Sequence, residues 1–299
     1  MASPEFEAII PIIRESLDLS NPDASVEDLR AMLTFDVDAM PAPEGVSFEW
    51  TSLAEVPTLL VCPEGARDDA ALVYLHGGGY VMGSPDSHRA LTARLATLLG
   101  CPVYSIDYRL APEHPHPAAV TDSTTAYRAL LERGLAPSRL AIAGDSAGGG
   151  LTIATLVKLR DDGVPLPAAA VAISPWIDLE GTGESMRRLA GVDPMVRPEG
   201  LQRMTKWFIG SGDLRDPYAA PIHADLTGLP PLLVHVGEVE TLLDDSVRLD
   251  AHARDAGVDC TLKVFPEMVH VFHTFCGVVP EADAACDEVA AFLRPRLAL

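Results

Sequence analysis

The chain has 299 residues, of which 48% are hydrophobic and 22% are charged. This length is enough for one large domain or two modest ones, with a core that needs no disulfide or metal support. The formal net charge of −21 at pH 7 disfavours binding to nucleic acid or to an anionic membrane, because both would repel the chain.

The cysteines and the N-terminus indicate in which cellular compartment the protein works. The five cysteines are far apart and form no CxxC pair, which disfavours a disulfide framework or a zinc site. The first ten residues, MASPEFEAII, are acidic where a signal peptide would be basic. No apolar run reaches the roughly 18 residues of a membrane span. We therefore expect reduced thiols and a cytoplasmic protein without a membrane anchor.

The N-terminal segment differs from the rest of the chain. Residues 5–38 have the spacing of two amphipathic helices, and the second is predicted to begin at Ser25, with Asp28 three residues later as in a capping box. A sheet is predicted to begin near Val46. We interpret residues 1–45 as helices of a cap.

From residue 71 onward, short apolar and β-branched runs alternate with stretches of helical spacing. This alternation predicts an α/β domain with a mostly parallel central sheet and helices on both faces. The predicted strands are 71–76, 102–107, 139–144, 168–174, 231–237 and 260–265. The predicted helices are 87–99, 118–133, 147–161, 242–256 and 280–294.

One segment interrupts the alternation. Residues 184–212 are predicted to form a longer helical insertion that folds over the carboxyl ends of the strands, so that 46–183 and 213–299 are the two parts of the core domain. The alternative is that its methionines and aromatic residues only fill a core between helices. They are Met186, Met195, Met204, Trp207 and Phe208.

A glycine-flanked serine follows the predicted strand 139–144. Gly144 to Gly148 fits the pattern G-x-S-x-G between a strand and a helix, which is typical of a nucleophile elbow at Ser146. Larger side chains at the two glycines would collide with the neighbouring strand and helix. Because Ser146 would begin a helix, free backbone N–H groups, including that of Ala147, would point toward an oxyanion beside it.

A second glycine cluster, His76-Gly77-Gly78-Gly79-Tyr80, follows the predicted strand 71–76. Three consecutive glycines indicate backbone that approaches another group closely. In acyl transfer, amides of such a loop stabilise the negative oxygen of a tetrahedral intermediate. The alternative is a flexible loop at a strand end.

A serine nucleophile needs a base and an acid, and in this kind of fold both follow later strands in the order serine, acid, histidine. The segment 238–245, EVETLLDD, follows the strand 231–237 and contains four acidic residues. After the strand 260–265 comes His270, the predicted base, with His273 as its rival.

Six motifs follow one another along the chain: HGGGY (76–80), YRLAPEHPHPAA (108–119), GDSAGGG (144–150), SPWIDL (174–179), GEVETLLDDS (237–246) and MVHVFH (268–273). This is the order found in the hormone-sensitive lipase family of α/β-hydrolase esterases. The chain resembles a bacterial member of its GDSAGG subfamily over roughly residues 40–295.

The resemblance implies roles for individual residues. Ser146 matches the family nucleophile, and His270 matches its general base. Glu240 matches the acid, where many members have aspartate, and Asp244 is the alternative. The matching oxyanion amides are those of Gly78, Gly79 and Ala147. Candidates for the wall of the substrate pocket, each with a core role as the alternative, are Trp176, Trp207 and Phe208.

The implied activity is that of a serine carboxylesterase on small esters with short to medium acyl chains, with no metal or organic cofactor. An epoxide hydrolase or dehalogenase would need a carboxylate in place of Ser146, and a related peptidase usually has a large additional domain. A ligand receptor of this fold would lack a member of the triad. The expected partner is a small ester. Through the predicted edge strand 260–265 a second copy of the chain could also pair.

Overall fold

The computed structural model describes residues 2–16, 24–33 and 43–299, and within these ranges the chain forms one eight-stranded sheet with helices on both faces. The strands are β1 (Val46–Leu53), β2 (Val56–Pro63), β3 (Ala71–Leu75), β4 (Val103–Ile106), β5 (Leu140–Asp145), β6 (Ala169–Ile173), β7 (Leu232–Gly237) and β8 (Cys260–Phe265). The helices are α1 (Pro4–Ser16), α2 (Val26–Met32), α3 (Arg89–Leu99), α4 (Ala118–Glu132), α5 (Ala147–Asp161), α6 (Glu184–Arg188), α7 (Pro198–Ile209), α8 (Leu243–Asp255) and α9 (Pro280–Arg296).

The sheet has the order β1-β2-β4-β3-β5-β6-β7-β8. β2 pairs antiparallel with β1 and β4, and the pairs from β4 to β8 are parallel. The predicted α/β architecture with a mostly parallel sheet is therefore confirmed. β8 lies at one edge of the sheet, where pairing with a second copy stays a prediction.

Strands in the middle of the sheet are buried on both faces. Along β3, Leu72 and Tyr74 pack into the layer that holds α3 and α9, whereas Val73 and Leu75 pack into the layer that holds α4, α5 and α8. Successive side chains of a strand point to opposite faces, so a continuously apolar strand serves two helical layers at once. The carboxyl ends of these parallel strands lie at one edge, and the loops that follow them meet there.

The first helices pack around this core. Phe6 and Ile13 bury one face of α1, and Ser3 Oγ donates a hydrogen bond to Glu281 at the start of α9, 2.7 Å away. α2 begins with the predicted capping box: the Asp28 amide donates to Ser25 Oγ at 3.1 Å, and the Ser25 amide donates to the Asp28 carboxylate at 2.8 Å. The parts of the two predicted N-terminal helices that fall in 17–23 and 34–38 lie outside the described residues.

The insertion 184–212 contains two helices, α6 and α7, joined by the segment 189–197. Pro198 begins α7 and ends the preceding extended segment, because its ring favours the first turn of a helix. We propose that the insertion and the N-terminal helices together form the cap over a core of 46–183 and 213–299. None of the helices within the described ranges has the length and apolar character needed to cross a bilayer.

Candidate active site

Ser146 sits on a sharp turn between β5 and α5. Its backbone has φ 53° and ψ −120°, a conformation that residues other than glycine rarely adopt. Neighbouring backbone holds it there, because the Ser146 amide donates to Ile173 O at 2.8 Å and its carbonyl accepts from Trp176 at 2.9 Å. A Cβ at Gly144 or Gly148 would overlap the carbonyl oxygen of Leu75, so both positions require glycine. The elbow geometry is thus enforced from both sides.

Three side chains from three strand-end loops meet at this turn. His270 Nε2 lies 2.9 Å from Ser146 Oγ, and His270 Nδ1 lies 3.1 Å from Glu240 Oε1. Burial lowers the pKa of His270, but the adjacent Glu240 carboxylate outweighs it, and the net effect is a raised pKa. The arrangement suits a histidine that takes a proton from the serine while the carboxylate stabilises the resulting imidazolium.

Glu240 is fully buried and held at its second oxygen. Ser174 Oγ donates to Glu240 Oε2 at 2.8 Å, and the Gly237 amide donates to the same oxygen at 2.9 Å. Ser174 Oγ also accepts from the Val271 amide at 3.2 Å, next to His270 in the chain. Ser174 itself has a positive φ of 45°. Ser174 therefore connects the loop after β7, which carries Glu240 (the acid loop), to the loop after β8, which carries His270.

The two alternatives left open by the sequence lie elsewhere. The Asp244 carboxylate accepts from the Ser185 amide at 2.8 Å, in the first turn of α6. His273 contacts another buried histidine, His235, with 3.1 Å between His273 Nε2 and His235 Nδ1. Neither side chain has a hydrogen bond to Ser146 or His270 among the described residues.

The glycine-rich loop after β3 runs beside Ser146. Gly78 and Gly79 have φ values of +116° and +62°, and both glycines border the same cavity as Ser146. Within the described chain, no acceptor takes the N–H of Gly78 or Gly79. Ala147 is the first residue of α5, where an amide has no partner in its own helix. These three amides are thus available to a bound oxygen.

A cavity of about 180 Å³ opens beside the serine. Its wall is mostly apolar and comes from the N-terminal segment, α3, the insertion and the loop after β8. The apolar residues that line it are Leu33, Met82, Ala90, Leu91, Met195, Val196, Leu201, Met204, Val271 and Phe275.

The three aromatic residues predicted to line the pocket do not border this cavity. Trp176 is buried, and its Nε1 donates to Asp178 O at 3.2 Å, whereas Phe208 stacks on Tyr80 with ring centroids 3.7 Å apart. Trp207 packs at the side of the insertion, with the Arg203 guanidinium over its ring. The prediction that these three residues form the wall is therefore wrong. Trp176 lies in the core, and α7 turns Leu201 and Met204, not its aromatic residues, toward the cavity.

Comparison with known proteins finds relatives that match most of the chain. The model of a protein family described as the alpha/beta hydrolase fold matches residues 72–274. A crystal structure of an esterase from the bacterial hormone-sensitive lipase family superimposes with a TM-score of 0.95 at 45% identity, and the match covers 99% of both chains. The chain belongs to the hormone-sensitive lipase family of α/β-hydrolases.

Other members extend the likeness over the full length. An acetyl-hydrolase of Streptomyces hygroscopicus is 41% identical over 302 residues, covering 98% of this chain and 97% of that protein. The esterase EstE5, in a crystal soaked with p-nitrophenyl butyrate, is 41% identical with a TM-score of 0.94 and full coverage of both chains. The chain, like these relatives, is a carboxylic ester hydrolase.

Proposed function

We propose that the chain hydrolyses short- to medium-chain carboxylic esters through an acyl-enzyme on Ser146. The observation that carries the proposal is the continuous contact from Ser146 Oγ to His270 and from His270 to Glu240, with distances of 2.9 and 3.1 Å. A nucleophile, a base and an orienting acid in this order are the requirements for acyl transfer by serine.

The acylation step uses this contact directly. Ser146 Oγ attacks the ester carbonyl carbon while its proton passes to His270 Nε2, and the carbonyl electron pair moves onto oxygen. The amides of Gly78, Gly79 and Ala147 stabilise that oxygen. The pair then returns, the carbon–oxygen bond to the alcohol breaks, and the alkoxide takes the proton from His270.

Deacylation repeats the sequence with water. His270 removes a proton from water, the hydroxide attacks the acyl carbon, and Ser146 Oγ leaves with the proton that His270 returns. Throughout both steps, Glu240 accepts from His270 Nδ1 and stabilises the imidazolium. Its other oxygen stays bonded to Ser174, so that the carboxylate keeps its orientation.

The size of the cavity supports the proposed acyl range. About 180 Å³ of mostly apolar space accommodates a short to medium acyl chain better than the long chains of a triglyceride. The likeness to EstE5, whose crystal was soaked with p-nitrophenyl butyrate, favours the same kind of small ester.

The test is the initial rate of p-nitrophenyl ester hydrolysis at pH 8 over a series of acyl lengths. We expect the highest kcat/KM for short to medium chains and a loss of at least about 1000-fold in kcat for Ser146→Ala. A preference for long acyl chains, or activity that survives the substitution, would contradict the proposal.

The identity of the acid is tested by comparing Glu240→Gln with Asp244→Asn. Because Glu240 raises the pKa of His270, its loss should lower kcat by about 1000-fold or more and move the acid limb of the pH profile to lower pH. Asp244→Asn should change kcat much less and leave the acid limb in place. The reverse pattern would assign the role to Asp244.

A further inference from the structure

A second histidine–carboxylate pair lies directly behind the nucleophile. Asp145 precedes Ser146 at the end of β5, and His88 precedes α3. The His88 Nε2 atom lies 3.2 Å from Asp145 Oδ1 and 3.3 Å from Asp145 Oδ2. Both side chains are buried, with 2% of Asp145 and 7% of His88 exposed, and both border the cavity. The proposed mechanism uses neither.

The surroundings of His88 favour a proton on each ring nitrogen. The Gly77 amide lies 3.4 Å from Nε2 but closer to Asp145 Oδ1, at 3.1 Å. Nε2 faces the Asp145 carboxylate, and Nδ1 lies 3.2 Å from the carbonyl oxygen of Ser84. A carboxylate and a carbonyl only accept hydrogen bonds, so an imidazole that donates to both is doubly protonated. Ser87 Oγ, 2.9 Å from Nδ1, already donates to Ser84 O. These contacts favour the doubly protonated, positively charged ring.

The charges of the pair support each other. Burial lowers the pKa of His88, but Asp145 outweighs it and the pKa is raised; burial likewise raises the pKa of Asp145, but His88 outweighs it and the pKa is lowered. The neighbouring His76 ring, 5.7 Å from that of His88, stays neutral because burial lowers its pKa to about 3. Asp86 and Arg89, on the same segment as His88, form their own ion pair.

Asp145 holds the start of the glycine-rich loop. Its Oδ1 accepts from the Gly77 amide at 3.1 Å and from Tyr74 Oη at 2.7 Å. A Cβ at Gly77 would overlap Asp145 Oδ2, so the loop lies directly against the carboxylate. Gly78, one of the proposed oxyanion donors, is the next residue. The position of the donor amides therefore depends on this carboxylate.

A carboxylate here also has an electrostatic cost. It lies one residue from the nucleophile and against the loop that must stabilise a developing negative oxygen, and in a buried site such charges interact strongly. A positive charge paired with Asp145 offsets that repulsion. We propose that His88, as the imidazolium partner of Asp145, is a positioning residue that fixes the oxyanion loop and compensates the charge behind it. The inference rests on the proposed function of Ser146.

The experiment compares His88→Gln, Asp145→Asn and the double variant with the parent. The glutamine of His88→Gln keeps a donor toward Asp145 without the charge, and the double variant removes both charges. The readouts are kcat and KM for p-nitrophenyl butyrate and the inhibition constant of an alkyl boronic acid, which forms a tetrahedral anion on a serine. His252→Gln, on α8 and outside the cavity wall, is the matched control.

For H88Q we expect kcat to fall about 10- to 100-fold, less than for a direct oxyanion donor, with KM within about twofold. Boronate affinity should fall by the same factor as kcat/KM. The double variant should regain at least about fivefold in kcat over H88Q, because it no longer leaves an uncompensated carboxylate. H252Q should match the parent in every readout.

Three results would overturn the inference. The first is an unchanged kcat in H88Q, and the second is a change in KM of H88Q without a change in kcat. The third is a fall in kcat of the double variant that equals the product of the falls in the two single variants. Should H88Q fail to fold, nitrogen NMR of the parent decides, since neutral His88 at pH 7 would also overturn it. Failure of the proposed function is a different outcome, in which the parent itself shows no hydrolysis that depends on Ser146.

Discussion

Gly78 and Gly79 face different obstacles although they are neighbours. A Cβ at Gly78 would overlap the carbonyl of Met82, whereas at Gly79 it would meet the sulfur of Met204 from α7. Backbone cannot yield as a thioether side chain can. A side chain at Gly78 would therefore collide with backbone that cannot move away. A side chain at Gly79 would instead displace Met204 of α7.

Alanine substitutions test this difference. We expect Gly78→Ala to lower the free energy of unfolding by about 2–3 kcal/mol and to abolish most activity, and Gly79→Ala to cost about 1–2 kcal/mol. Gly134→Ala is the control, because Gly134 has a φ of +95° but no neighbour within 4 Å of a Cβ. Chemical denaturation and kcat on the same samples check the order. Equal losses for Gly78→Ala and Gly134→Ala would mean that backbone strain alone, and not collision, sets the cost.

Local pattern predicts some residues of the site and not others. Ser146 and His270 stand in motifs that directly follow predicted strands, so their convergence at one sheet edge could be anticipated. His88 and Ser174 act through contacts with residues 57 and 66 positions away, and no spacing in the sequence predicts those. For Ser174 the only signal is its place at the start of the motif SPWIDL.

At the level of elements, Asp193 joins the insertion to the acid loop. This fully buried carboxylate accepts from the amides of Met195 and Val196, each at 2.9 Å, and from the amide and hydroxyl of Thr241 at 2.8 and 3.2 Å. Met195 and Val196 line the cavity, and Thr241 follows Glu240. The shape of the cavity and the position of the acid are therefore mechanically linked.

Asp193→Ala leaves these donors without an acceptor. We expect the free energy of unfolding to fall by about 2–4 kcal/mol and kcat to fall about 10- to 100-fold through displacement of Glu240. Asp193→Asn, which keeps an acceptor oxygen, should recover part of both. Asp255→Ala, at an exposed position of α8, is the control. An Asp193→Ala variant with normal kcat would show that the two loops keep their positions independently.

The elements differ in how well the sequence predicts them. The six strands predicted between 71 and 265 are found with bounds within one residue, because each is a short, largely apolar run between stretches of helical spacing. For the β1–β2 hairpin the sequence predicts only that a sheet begins near Val46. β1 is largely exposed, and its turn uses Ala54 and Glu55 at positive φ, where glycine or asparagine would be expected.

For the molecule as a whole, buried histidines govern stability in mild acid. Burial lowers the pKa of His76 and His235 to about 3 and holds the pKa of His273 well below its usual range. Unfolded histidine has a pKa of about 6.5, so below that pH the unfolded chain binds protons that the folded chain does not. Asp245 acts in the opposite sense, because burial raises its pKa to about 7 and the folded chain holds its proton.

Together, these four groups bind about two more protons in the unfolded chain than in the folded chain. The free energy of unfolding should therefore fall by about 1–3 kcal/mol for each pH unit as the pH drops from 6.5 to 5. His235→Gln removes one of the three histidines and should make the dependence shallower. Denaturant unfolding at several pH values in constant salt measures both slopes. A flat profile for the parent would contradict the buried neutral state of these histidines.

Trapping the acyl-enzyme identifies the nucleophile directly. The parent, turning over p-nitrophenyl butyrate, is quenched rapidly with acid and its peptides are analysed by mass spectrometry. We expect a butyryl group on the peptide that contains Ser146, and no such adduct in Ser146→Ala. Ester hydrolysis by the parent without any acyl group at Ser146, or with the group on another residue, would contradict the assignment of this serine as the nucleophile.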